Sequence, residues 1–164
     1  MRKFFKEYYK TLIICAVIIF MRATEILNIH VVSGSSMFPT FKNGDFVITS
    51  RIPSVNDGDV VVANAYDNKL VIKRIIAHSG DQVELKNDRL FINGNEEKCD
   101  TCNYSGITPE FKVSSWEVKD GEYFIAGDNR NNSKDSRLYG PVKKSVVKGK
   151  VICRIPIGGL FSKS

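Results

Sequence analysis

Asp57-Gly-Asp-Val-Val-Val-Ala-Asn-Ala-Tyr-Asp-Asn-Lys-Leu-Val-Ile-Lys-Arg-Ile-Ile76 is the stretch that decides the fold class. It holds two short apolar runs, Val60-Val-Val-Ala-Asn64 and Leu70-Val-Ile-Lys-Arg-Ile-Ile76, parted by the turn pair Asp67-Asn68. Short runs rich in β-branched residues pack well on a pleated surface and read as strands. The same pattern continues outward in Phe46-Val-Ile-Thr-Ser50, Gln82-Val-Glu-Leu85, Arg89-Leu-Phe-Ile92, Tyr123-Phe-Ile-Ala126 and Val146-Val-Lys-Gly-Lys-Val-Ile152. Turn signals stand between them: Asn43-Gly44-Asp45, Gly80-Asp81, Asn87-Asp88, Asn93-Gly94 and Asp120-Gly121. Strands at this spacing predict a mainly β domain, an antiparallel sandwich or a barrel-like arrangement. No long helical period follows Asn28, and a polar loop is expected over residues 95–113.

The chain has 164 residues, enough for one domain and an anchor. Its 43% hydrophobic and 26% charged content is that of a folded protein. The net charge of +6 raises nucleic acid or an anionic membrane as a partner. The cations cluster at the N-terminus and at Lys143, Lys144, Lys148 and Lys150, without interleaved aromatics, so nucleic acid is not the expected partner.

Arg2, Lys3, Lys6 and Lys10 precede the apolar run Thr11-Leu-Ile-Ile-Cys-Ala-Val-Ile-Ile-Phe-Met21. With Tyr8 and Tyr9 it covers about 14 residues, or ~21 Å of helix, short of the roughly 20 residues of a full span. Lys10 and Arg22 can snorkel at its ends, and the tyrosines suit an interface. Residues 1–28 are therefore expected to form a cytoplasmic tip and a single transmembrane anchor, and residues 29–164 an extracytoplasmic domain. A cleavable signal peptide would need a small-residue cleavage site, where Arg22-Ala23-Thr24-Glu25 stands instead. A buried core helix is the other reading of so short a run.

Two of the cysteines, Cys15 in the apolar segment and Cys153 in an expected strand, are expected to be inert. Cys99-Asp-Thr-Cys102 lies in a polar loop. Zinc would need two further ligands that are not near in sequence, and a thioredoxin-like motif would need a βαβ setting. A local disulfide and two free thiols both remain open.

For chemistry, Ser36 and Lys73 come first. A serine attacks a carbonyl only when a base takes its proton, and the chain has just two histidines, His30 and His78. A lysine among apolar neighbours is an alternative base, because desolvation disfavours its charged form. Gly34 allows a tight turn before Ser36, and Pro39 fixes the chain beyond it. Taken singly, Ser36 fits an ordinary loop and Lys73 a solvent-facing strand position. The third element is Gly127-Asp-Asn-Arg-Asn-Asn-Ser-Lys-Asp-Ser-Arg-Leu-Tyr-Gly140, a polar segment after a strand.

With this segment the chain resembles the bacterial type I signal peptidases. Four blocks carry the resemblance, in family order over about residues 31–142: Ser33-Gly-Ser-Ser-Met-Phe-Pro-Thr-Phe41; Gly44-Asp-Phe-Val47; Gly58-Asp-Val-Val-Val62 through Ile72-Lys-Arg74 and Gly80-Asp81; and the Gly127–Gly140 segment. The resemblance implies a membrane-bound serine endopeptidase that cuts exported preproteins after small residues. Ser36 would be the nucleophile and Lys73 the general base. Ser133 would hydrogen-bond and orient that lysine, while Asp128, Arg130, Asp135 and Arg137 hold the site together. Met37 and Ile72 would line pockets for small side chains. The oxyanion donors would be the Ser36 backbone N–H and Ser35, since Gly34 stands where one branch of the family has a serine hydroxyl. Preproteins and a lipid bilayer are the expected partners. No cofactor and no metal are expected, and the sequence sets no oligomeric state. Two other readings are a catalytically silent anchored homologue and a self-cleaving SOS-type Ser-Lys peptidase. The first loses the serine or lysine, and the second lacks an anchor and the Gly127 segment. For Lys73 to be neutral near pH 7 to 8 its pKa must fall about 2 to 3 units, at ~1.36 kcal/mol per unit.

Overall fold

A computed structural model of the chain describes residues 2–23, 26–51, 54–87, 89–103 and 115–157. The polar loop expected over 95–113 is therefore described only as far as Asn103, and Arg22's side chain lies outside the described residues.

Helix α1 spans Arg2–Ala23, 22 residues, or about 33 Å at 1.5 Å per residue. Its side chains from Tyr8 to Phe20 are all exposed, with Ile19 at 67% and Phe20 at 65%. The buried-core-helix reading fails on that exposure. Among the described residues no helix is long and apolar enough to cross a membrane, because lysines and a glutamate fill the first three turns of α1.

Among the described residues, the remaining chain forms eleven strands: β1 Leu27–Val31, β2 Phe46–Ser50, β3 Val60–Ala65, β4 Lys69–His78, β5 Gln82–Lys86, β6 Arg89–Ile92, β7 Asn95–Glu96, β8 Ser115–Glu117, β9 Glu122–Ala126, β10 Val142–Lys143 and β11 Val147–Ile155. A four-residue helix α2, Ser136–Tyr139, lies between β9 and β10. All strand pairs are antiparallel. A seven-stranded sheet runs in the order β1-β2-β11-β3-β4-β9-β10, and a four-stranded sheet in the order β7-β6-β5-β8. The larger sheet is open, since β1 and β10 are its two edges, so the arrangement is not a closed barrel.

The stretch quoted at the outset forms the hairpin β3–β4, with Val61 opposite Lys73 and Val62 opposite Ile72. Its turn residues Asp67 and Asn68 take φ of 54° and 57°, left-handed values that Asp and Asn tolerate. β4 then feeds three apolar clusters. Ile76 and Ala77 pack with Val83, Leu90, Val118 and Phe124, joining the two sheets. Ile72 packs against Met37, Phe41, Val47 and Val60. Ile75 joins Val61, Tyr123 and Ile125. Each such side chain removed from water stabilises the fold by about 1.5–3 kcal/mol, so β4 is fixed from every side. Its ladder with β9 begins only at Arg74↔Ala126, so Lys73 sits just beyond the start of that pairing.

Candidate active site

The segment after β1 leaves the sheet and folds back over β4. Gly34 turns it with φ +86°, where any side chain would be strained although the space around it is open. The Gly34 N–H donates to Asn43 Oδ1 at 2.9 Å. Met37, 1% exposed, plugs the cluster beneath. The adjacent Ser36 is thereby held half-buried at the surface.

Lys73 Nζ lies 2.7 Å from Ser36 Oγ and donates to the Ile72 carbonyl at 3.1 Å. Lys73 is 3% exposed. Burial pushes its ammonium pKa down to about 8, against the pull of Asp135 and Asp128 and with the push of Arg137. The drop corresponds to roughly 3 kcal/mol at ~1.36 per unit. A neutral lysine near pH 8 has the lone pair that a serine proton needs, at hydrogen-bond distance.

The Gly127 segment supports this pair through buried, ion-paired charges. Asp128, 0% exposed, accepts from Arg74 Nε at 2.8 Å and Nη2 at 2.6 Å, and from the Thr40 hydroxyl. Asp135 accepts from Arg137 Nε and Nη2, both at 2.9 Å, and from the Gly127 N–H at 2.9 Å. It also caps α2 through the Arg137 N–H. Burial pushes the Asp135 carboxyl up, but the Arg137 bond and charge outweigh it and hold the group below the usual carboxylate range. Arg130, also buried, donates to both Glu97 oxygens at 2.6 and 2.7 Å.

Direct bonds then tie the segment to the serine turn. The Asn129 N–H donates to Ser36 O at 3.0 Å and its Nδ2 to Ser35 O at 3.1 Å, while Asn132 Nδ2 donates to Ser35 Oγ at 3.0 Å. Gly127 is required for the approach: a Cβ there would stand 2.4 Å from Ser36 O and 2.3 Å from Ser133 Oγ.

Ser36 and Lys73, distant in sequence, are thus brought into contact; the ion-paired Asp128, Asp135 and Arg137 lie near enough to act on Lys73, while Arg130 pairs with Glu97. Ser133 lies against Gly127, on which Ser36 O also closes, and its buried hydroxyl helps keep Asp135 ionised. Met37 and Ile72 both line a cleft beside the dyad, with Val32, Leu70 and His30. The cleft measures about 110 Å³, room for a few groups of water size at ~30 Å³ each. Neither histidine touches Lys73 or Ser36 by hydrogen bond: His30 faces Thr49 Oγ1, and His78 pairs with Asp57 and the Val55 carbonyl. Cys99 and Cys102 form a disulfide, and Cys15 and Cys153 are free and exposed.

Sequence reasoning assigned no role to Arg74, Thr40, Glu97, Asn129 or Asn132. Arg74 carried a usable signal, since a second cation in an apolar strand needs a buried acid. The amides carried none.

Comparison with known proteins supplies the family. The profile described as "Signal peptidase, peptidase S26" matches residues 5–155. Signal peptidase IB of Staphylococcus aureus is 32% identical over 94% of this chain and 91% of its own length. Signal peptidase I S of Bacillus subtilis is 35% identical over 83% of this chain and 80% of its own. A crystal structure of a signal peptidase I from Enterococcus faecalis superposes with a TM-score of 0.52 at 30% identity, covering 60% of this chain and 97% of that one. The chain belongs to the signal peptidase family, peptidase S26, and is a serine peptidase.

Proposed function

We propose that the chain removes N-terminal signal peptides from exported preproteins, with Ser36 as nucleophile and Lys73 as general base. The observation that carries this reading is the 2.7 Å contact between Ser36 Oγ and a buried Lys73 Nζ. Neutral Lys73 takes the serine proton as Oγ attacks the scissile carbonyl. The oxyanion is held by the Ser36 N–H, with the Ser35 hydroxyl as second donor. Lys73 then returns its proton to the leaving amine. Water enters, gives its proton to Lys73 and hydrolyses the ester. Arg74, Asp128, Asp135 and Arg137 hold the backbone on which this geometry depends.

The small cleft beside the dyad favours small substrate side chains at the first and third positions before the cut. Residues 1–28 serve as the membrane anchor with a cytoplasmic tip, and residues 29–164 as the extracytoplasmic peptidase domain. What supports anchoring is that α1 presents apolar side chains on all sides with none buried among residues 8–20.

The test is cleavage of a preprotein by the full chain in detergent, with the product's N-terminus sequenced. The wild type is expected to leave a product beginning just after a small residue, and Ser36→Ala to leave the preprotein intact. Equal cleavage by both sinks the assignment.

A further inference from the structure

We infer that the segment from Glu97 to Asn103, closed by the Cys99–Cys102 disulfide, positions the nucleophile, and that opening this disulfide lowers peptidase activity. The inference rests on Ser36 and Lys73 being the reacting pair.

Both flanks of the disulfide grip the segment that holds Ser36. On one flank, the Glu97 carboxylate takes both Nη groups of Arg130, whose side chain is 1% exposed. On the other, the Asn103 N–H donates to Asp128 O at 2.9 Å, and the Arg130 N–H donates to Asn103 O at 3.1 Å. Asn103 and Asn129 form a parallel bridge there. Asn129 is the residue whose N–H reaches the Ser36 carbonyl. The disulfide sulfurs lie within 4.8 Å of a Glu97 carboxylate oxygen, so the cross-link sits beside the group that holds Arg130. Glu97 is itself fixed to the small sheet through its N–H on Leu90 O. The Cys99–Cys102 bond thus closes the short turn between these two grips and limits how far one can move relative to the other.

Opening it takes an external dithiol. The S–S bond breaks, Cys99 and Cys102 each gain an electron and a proton, and the dithiol becomes a disulfide. The turn regains conformational freedom, and Asn103's hold on residues 128–130 slackens. A displacement of 1 Å at a reacting atom costs about 10²-fold in rate, so loss of one grip is expected to cost roughly 3- to 30-fold. The loss falls chiefly on kcat, because the segment's bonds reach the Ser36 carbonyl through Asn129, whereas most of the cleft lining lies on β1, β3 and β4. The alkaline limb keeps its midpoint, because the charges that act on Lys73 are Asp135, Arg137 and Asp128, none of them in the Glu97–Asn103 segment.

The experiment compares oxidised full chain in detergent, the same protein reduced with dithiothreitol, and Cys99→Ser/Cys102→Ser. A cysteine-free preprotein is the substrate, and a chelator keeps metals off the freed thiols. Reduced wild type and the double variant are expected to lose about 3- to 30-fold in kcat, with KM and the pH midpoint unchanged. Reoxidation restores the wild type only, and the double variant ignores the reductant. Glu97→Gln, which keeps the shape and removes the charge, should show the same kcat loss. Equal kcat in oxidised, reduced and double-variant enzyme overturns the inference. So does a loss that appears only where the reduced enzyme is unfolding at the assay temperature. An oxidised wild type that cleaves no preprotein sinks the peptidase reading and this inference together.

Discussion

Lys73 and Arg74 are neighbours on β4, Lys73 buried and Arg74 half-buried, yet they are treated in opposite ways. Arg74 meets a buried carboxylate with two parallel bonds. Arg137 and Arg130 are matched in the same manner by Asp135 and Glu97. Lys73 has only a hydroxyl and a carbonyl at bonding distance, and no ion pair among the described residues. Guanidinium keeps its proton at any physiological pH and forks onto carboxylates, whereas an ammonium gives its proton up when desolvated. The fold thus places permanent charges where structure is needed and a removable one beside the proposed nucleophile.

The sharpest way to break this contrast is Lys73→Arg. It keeps the positive charge and removes the ability to act as a base, so cleavage should fall about 10⁴-fold or more, as for Lys73→Ala. Retained activity in a preprotein assay would show that positive charge alone suffices. Next is Asp135→Asn, which strands Arg137 in the interior. Urea unfolding should show a loss of about 3–5 kcal/mol, with much of it regained when Arg137→Met is added. Lys73→Met should act in the opposite direction. The folded-state pKa is lowered to about 8, so the fold pays for an uncharged or poorly solvated lysine at all pH values below that. The variant should therefore be more stable by up to roughly 3 kcal/mol at pH 7. The gain should shrink as pH rises from about 8 toward 10.4, where the unfolded lysine also loses its proton. For wild type, kcat/KM should climb on an alkaline limb with its midpoint near the Lys73 value of about 8. The smallest effects belong to His30→Ala and His78→Ala, which should change the rate by less than about tenfold, below the usual scale of an acid-base contribution.

The strands could be read from sequence because burial on pleated sheets leaves β-branched runs between Gly and Asp turns, as in residues 57–76. The pairing of Ser36 with Lys73 could not be read from spacing, because it depends on how the turn at Gly34 folds back over β4. It became readable only with the Gly127 segment and the resemblance it carries. The Cys-x-x-Cys spacing fits several chemistries, and only the three-dimensional placement of Cys99 and Cys102 settles on a disulfide. Asn129 and Asn132 were silent because side-chain amides that satisfy a neighbouring loop follow no period.

On the proposed Ser36–Lys73 mechanism, β4 also sets when in the life of the chain proteolysis can begin. Lys73 loses its solvent only after β3 has paired on one side and the turn bearing Ser36 has closed over the strand, and Asp128 reaches Thr40 across 88 residues of sequence. Such distant contacts form late in folding, because their loop-closure cost is met before they return any energy. Until then Lys73 is an ordinary, protonated, solvated lysine and Ser36 an ordinary hydroxyl. A nascent or partly unfolded copy is therefore inert toward its neighbours, and the onset of cleavage marks the end of folding.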